Sequence, residues 1–167
     1  VTYTIAVTDF NEFDVTTPSD DDTNTNTVAE NAANDATVGV TALATDSDGT
    51  TNVVTYTATA NSCSDDNGDA AFAVDSGTGV VTVNDNAALN YEAAQSCTIT
   101  VRATSQDSTT ADTTFTIAVT DHDEFDVGAP SDSDTDTNTI GENSGAGTVA
   151  EITASATDAD GTTNTIT

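Results

Sequence analysis

Acidic side chains recur in this chain at fixed places, and they are the groups most able to do chemistry. Asp121, Asp123 and Glu124 flank His122, and Asp9, Asn11 and Glu12 form an earlier version of the same group around Phe10. Asp46 and Asp48 sit in Asp-Ser-Asp-Gly, and Asp158 and Asp160 in Asp-Ala-Asp-Gly. Glu30 precedes Asn31, and Glu92 ends the segment Leu89-Asn90-Tyr91-Glu92. Carboxylate and amide oxygens without thiol or imidazole partners are hard-cation ligands, and cages of several such oxygens suit Ca²⁺. Bare carboxylates about 4 Å apart repel by ~1–4 kcal/mol per pair, and a divalent ion turns that repulsion into attraction. Any single Asp reads more simply as a solvated turn residue. Recurrence in register favours the metal reading.

Other chemistries fit less well. Asp46-Ser47-Asp48-Gly49 lacks a third Asp, and Thr57 stands where an EF-hand loop needs its Glu. Asp132-Ser133-Asp134-Thr135-Asp136 has Thr137 at the sharp-turn Gly position and Asn143 at the twelfth. Glycine-rich nonapeptides of the β-helix type are absent. His122 has no matching nucleophile and occupies a position that is Phe10 in the other copy, so it reads as linker packing. With no Trp and 5% aromatic residues there is little to line a substrate pocket, so no enzymatic activity is expected.

The acidic groups lie in a repeated framework. Residues 1–55 return at 113–167 without a gap, and more than half of the aligned positions are identical. Thr4 to Asp9 matches Thr116 to Asp121, and Glu12 to Val15 matches Glu124 to Val127. The expected organisation is the last strand and linker of one repeat at 1–15, a complete repeat at 16–127, and the beginning of the next at 128–167. The copies differ most at Ala32 to Gly39 against Ser144 to Glu151, which reads as an exposed hairpin.

The net charge is -28, with one basic residue, Arg102, against 29 acids. Such charge with few large apolar residues would by itself suggest disorder, and self-repulsion opposes compaction. Alternation of the apolar residues and clustering of the acids argue instead for a fold that cations complete, with a solubilising acidic surface as a contributing reason. Nucleic acid is excluded as a partner because phosphate contacts need Lys and Arg. No apolar run is long enough to form a membrane-spanning helix. Arg102 is expected to pair with a nearby acid.

Period-two alternation marks the strands. Phe115, Ile117 and Val119 face one way between threonines, and Tyr3, Ile5 and Val7 repeat the pattern. Cys97, Ile99, Val101 and Ala103 form another such row, as do Val38, Val40, Ala42 and Ala44, and Val54, Tyr56 and Ala58. Phe72 to Val74 turns through Gly77-Thr78-Gly79 into Val80 to Val83, and Asn24 to Ala29 is a weaker opening strand. Seven short strands with no helical period predict an all-β, seven-stranded Greek-key sandwich repeated in tandem. Cys63 follows the third strand and Cys97 opens the sixth, strands that are neighbours in such a sandwich. A disulfide between them is expected, with two free buried thiols as the alternative, and it implies an oxidising, extracellular location.

These segments resemble cadherin repeats in their bacterial tandem form. Val28-Ala29-Glu30-Asn31 is similar to the family's V-x-E-N, and Ala44-Thr45-Asp46-Ser47-Asp48-Gly49 with Tyr56 to its A-x-D-x-D segment. Phe72 to Val80 resembles F-x-I-D-x-x-T-G-x-I, and Leu89 to Glu92 resembles L-D-x-E. Asp121-His122-Asp123-Glu124 and Asp9-Phe10-Asn11-Glu12 resemble the D-x-N-D linker. The resemblance implies Ca²⁺ held between repeats. Glu30, Glu92, Asp121, Asp123 and Glu124 would combine with Asp158 and Asp160, and Asp9, Asn11 and Glu12 with Asp46 and Asp48. Asn90 replaces an Asp of the family, Glu12 and Glu124 replace a shorter linker acid, and Ser105 stands at a late-strand Asp position with Asp107 near. The expectation is therefore about one or two weakly held ions per junction, at ~0.1–1 mM.

The function expected from this is a calcium-rigidified extracellular array, the stalk, fibre or filament of a bacterial adhesin such as serves in biofilms. Its partners would be neighbouring repeats, with homophilic or glycan contacts possible. The alternatives are an adhesive binding module, or a filament subunit that exchanges a strand between copies.

Overall fold

The computed structural model describes residues 1–162 and 164–166. It divides into two compact units, Val1–Thr120 and Asp121–Thr167.

In the first unit eight strands form two four-stranded sheets. They are β1 (Ser19–Asp20), β2 (Thr27–Ala29), β3 (Thr37–Leu43), β4 (Val54–Asn61), β5 (Phe72–Val74), β6 (Val80–Val83), β7 (Ser96–Ser105) and β8 (Thr110–Thr120). One sheet has the order β1-β3-β6-β5 and the other β2-β8-β7-β4, with β2 parallel to β8 and all other pairs antiparallel. The period-two apolar rows become the inner faces. Val38, Val40, Phe72, Val81, Val83, Ile99, Val101 and Ile117 are buried between the sheets. Each such side chain contributes ~1.5–3 kcal/mol on removal from water. The all-β sandwich is as expected, with one short strand, β1, and a 3-10 turn at Asn86–Ala88 added.

Two local expectations are corrected. Ala58 is exposed although it pairs with the buried Val101, because β4 is the edge strand of its sheet and the ladder shifts register just beyond it, between Ala58 and Ala60. Residues 32–39 are not an exposed hairpin: Ala32 and Ala36 pack against the core, and the segment enters β3 with Val38 buried. Tyr3, Ile5 and Val7 are exposed.

The disulfide is formed. Cys63 and Cys97 are joined with a Cα–Cα distance of 5.6 Å, tying the end of β4 to the start of β7. At the β5–β6 turn Gly79 has φ +74°, and a Cβ there would stand 2.0 Å from the carbonyl oxygen of Ala42 in β3. Gly79→Ala is therefore expected to lose about 1–3 kcal/mol in urea unfolding, through strain and loss of the β3–β6 contact. An unchanged midpoint would show that β3 yields at no cost.

The second unit repeats part of this plan. β9 (Ser131–Asp132) pairs with β10 (Ala154–Ser155), and the matched residues in the first unit are Asp20 with Ala42 and Ser19 with Leu43. The Gly128 N–H donates to the Thr157 carbonyl at 2.7 Å, as the Thr16 N–H does to Thr45 at 2.8 Å. Ile140, Val149 and Ile152 are exposed.

Candidate metal centre

Two loops and a linker meet at one end of the first unit's sandwich. The loop after β3 carries Asp46 and Asp48, and the β7–β8 turn carries Asp107. Asp107 accepts from the Thr109 N–H and hydroxyl, both at 2.8 Å, while Ser108 takes φ 78°. The linker is tied down beside them. Val15 is buried and its N–H donates to the Thr109 hydroxyl at 3.0 Å. Glu12 N–H donates to Asp48 Oδ1 at 3.1 Å, and Thr50 donates to Asp9 Oδ2 at 2.7 Å. Asp9 and the Glu12 backbone thus lie beside the loop that carries Asp46 and Asp48.

Asp46, Asp48 and Asp107 each bring a carboxylate oxygen to within 4.8 Å of the other two. Asp48 is 3% exposed. The Thr109 N–H holds Asp107 below the ordinary carboxylate range against the opposing effect of desolvation, with the Thr109 hydroxyl, the Asn11 amide and Ser105 adding to the lowering. Ser105, at the family's Asp position, donates to Asp46 and to the Thr51 carbonyl. Asp107, two residues later, supplies the carboxylate instead. Sequence reasoning noted Asp107 as near but left it out of the ligand set. Only the hairpin turn shows that it points into the group.

The second unit carries the same contacts 112 residues on. Glu124 N–H donates to Asp160 Oδ1 at 3.1 Å, and Thr162 donates through its N–H and hydroxyl to Asp121 Oδ2. Asp160 N–H donates to Asp158 Oδ1, as Asp48 N–H does to Asp46 Oδ1. Asp160 is 2% exposed. Asp123 is held above the ordinary carboxylate value by its hydrogen bond with Asp160 and by that group's charge. Asp121 and Glu124 also bring carboxylate oxygens within 4.8 Å of each other. His122 is exposed.

At the other end of the first unit's sandwich, Glu30 follows β2. It is buried, its N–H donates to the Thr120 carbonyl at 3.1 Å, and its Oε2 accepts from the Tyr91 N–H at 2.6 Å. Glu30 and Glu92 place carboxylate oxygens within 4.8 Å of each other.

The fit to a cation rests on orphaned oxygens. Among the described residues, the buried side-chain polar atoms without a hydrogen-bond partner are Asp48 Oδ2, Thr51 Oγ1, Asp107 Oδ2, Asp121 Oδ1 and Asp160 Oδ2. All lie in or beside the acidic groups just described. A buried carboxylate oxygen without a partner is costly, and coordination to a hard cation removes that cost. Asp65, Asp69 and Asp85 also come together, a group the sequence reading did not single out although Asp65-Asp66-Asn67-Gly68-Asp69 was its signal. Asp65 is occupied by the N–H groups of Asn67 and Asp69 and by the Asn67 amide, as in a self-capped loop.

The model of the cadherin domain family matches residues 24–120, more than half of the chain, and the chain belongs to that family. Solved structures agree on the fold. Extracellular cadherin domains 3–6 of protocadherin gamma B2 superpose with a TM-score of 0.67 at 18% identity, covering 91% of this chain and 36% of that one. The gamma B7 cis-dimer structure of domains 3–6 gives 0.69 at 19%, with coverage of 92% and 36%. Domains 22–24 of mouse cadherin-23 give 0.64 at 24%, with coverage of 92% and 46%. The chain therefore spans less than half of the length of these relatives. A search of curated proteins finds no match. Cadherin domains are extracellular modules set in tandem, adhesive rather than enzymatic, and they generally bind Ca²⁺. No helix among the described residues is long and apolar enough to cross a membrane.

Proposed function

We propose that this chain is a stretch of a Ca²⁺-stiffened tandem array, the stalk or fibre of a large bacterial surface adhesin. The repeat bounds are those read from the sequence: 1–15, 16–127 and 128–167. At the earlier junction Asp9, Asn11, Glu12, Asp46 and Asp48 hold the ion, with Asp107 as a further ligand. At the later one the ligands are Glu30, Glu92, Asp121, Asp123, Glu124, Asp158 and Asp160. The observation that carries this reading is the set of orphaned buried carboxylate oxygens, found at Asp48 and again at its copy Asp160. Two positions 112 apart with the same donors and the same partnerless oxygen are hard to explain by solubility alone. The oxygen-only donor set favours Ca²⁺ over softer metals.

Small-angle scattering with a Ca²⁺ titration and a chelator arm tests the proposal. Added Ca²⁺ is expected to lengthen and narrow the distribution of end-to-end distances, with a midpoint in the ~0.1–1 mM range of extracellular modules. Identical curves with Ca²⁺ and with chelator would rule out a cation-stiffened junction.

A further inference from the structure

The outer face of the β2-β8-β7-β4 sheet is unlike the rest of this acidic chain. The outward side chains of β4, β7 and β8 are mostly Thr, and their only charges are Arg102 and Asp112. These two are directly opposite across the β7–β8 ladder. Arg102 Nε and Nη2 donate to Asp112 Oδ1 and Oδ2, each at 2.8 Å, and the side chains are 44% and 40% exposed. A pair this exposed contributes little to stability. Thr100 lies opposite Thr114, with their hydroxyls 2.8 Å apart, and Thr98 opposite Thr116. In a chain of net charge -28 this face has none.

We propose that this face is a lateral docking surface for a second copy of the same chain. Elsewhere, like charge opposes the approach of two copies, whereas here one positive and one negative group stand side by side. That arrangement is self-complementary. A two-fold axis parallel to β7 and β8, running between them, places each Arg102 over the partner's Asp112 and each Thr rank over the same rank. The intramolecular pair uses two of the five guanidinium N–H donors and leaves carboxylate lone pairs open, so a closed ring of two Arg and two Asp can form. Three strands over about eight residues present on the order of 400–500 Å² per copy. That is less than the ~800 Å² per partner of a stable complex, so one contact is weak. It gains strength when repeats along two arrays engage together. This goes beyond the cation reading and involves none of its ligands.

Sedimentation equilibrium of the full chain across a wide concentration range, in saturating Ca²⁺, tests it. Weight-average mass is expected to rise with concentration, and to rise more in moderate salt that screens the overall repulsion. Arg102→Asp should weaken association at least about tenfold, by setting acids against acids. The double swap Arg102→Asp with Asp112→Arg should restore it, because the self-complementary pair is rebuilt. Thr100→Glu should abolish it. A monomer at all concentrations, a swap that fails to restore association, or an inert Thr100→Glu overturns the proposal. So does a glycan whose binding Thr100→Glu removes from a chain that stays monomeric. Circular dichroism melts confirm that the variants fold, and an unchanged response to chelator in them keeps this result separate from that of the junction ion.

Discussion

Asp48→Asn is expected to raise the melting temperature in chelator and to lower it, relative to the unaltered chain, in saturating Ca²⁺. Without the ion, Asp48 is a nearly buried carboxylate within 4.8 Å of Asp46 and Asp107, with one oxygen lacking any partner. Removing its charge relieves ~1–4 kcal/mol of repulsion per neighbouring pair. The amide oxygen of Asn can still accept the Glu12 N–H, so the linker keeps its anchor. With the ion, the unaltered chain gains about 2.7 kcal/mol at a hundredfold excess over the dissociation constant, and the variant forfeits most of that. For a chain of this size the gain corresponds to roughly 5–10 °C. Asp21→Asn, at an exposed acid outside these groups, removes the same charge and should change stability by less than about 0.5 kcal/mol in either condition. That control separates the local effect from general self-repulsion. Equal Ca²⁺ responses in Asp48→Asn and the unaltered chain would remove Asp48 from the ligand set.

The second large effect belongs to the disulfide. Replacing both Cys63 and Cys97 with Ala is expected to cost about 4 kcal/mol in urea unfolding, from the loop entropy of a crosslink spanning 34 residues. Ala rather than Ser avoids burying an unpaired hydroxyl, since Cys97 is 1% exposed and Cys63 8%. The β4–β7 ladder runs from Val54 paired with Ser105 to Asn61 paired with Ile99, so the strands stay registered without the bond. The Ca²⁺ response should therefore survive in form while the baseline falls. A loss below about 1 kcal/mol would mean that the ladder alone holds this edge and that the crosslink constrains little in the unfolded chain.

Much of the sandwich was legible because a half-buried strand leaves a periodic mark. The row Cys97, Ile99, Val101, Ala103 is buried throughout, as are Phe115, Ile117 and Val119. Where the period does not report burial, the reading failed: Ala58 keeps the inward register opposite Val101 but lies exposed on an edge strand, and no pattern announces the two residues of β1. The acidic groups were legible from recurrence. Asp107 was not, because its role depends on the positive φ of Ser108 and on the caps from Thr109, which aim one turn residue at a loop some 60 positions earlier in the chain.

The sequence by itself determined the inward faces of the strands, the cysteine pair and the spacing of the acids, since period, composition and repetition are properties of a line of residues. Only the tertiary structure decided which carboxylate oxygens are buried without partners, that Ser105 yields its place to Asp107, and that Arg102 and Asp112 stand alone on a threonine face. The physical reason is that desolvation and charge pairing depend on distances between residues far apart in the chain. Those distances are set when two sheets close on a common core.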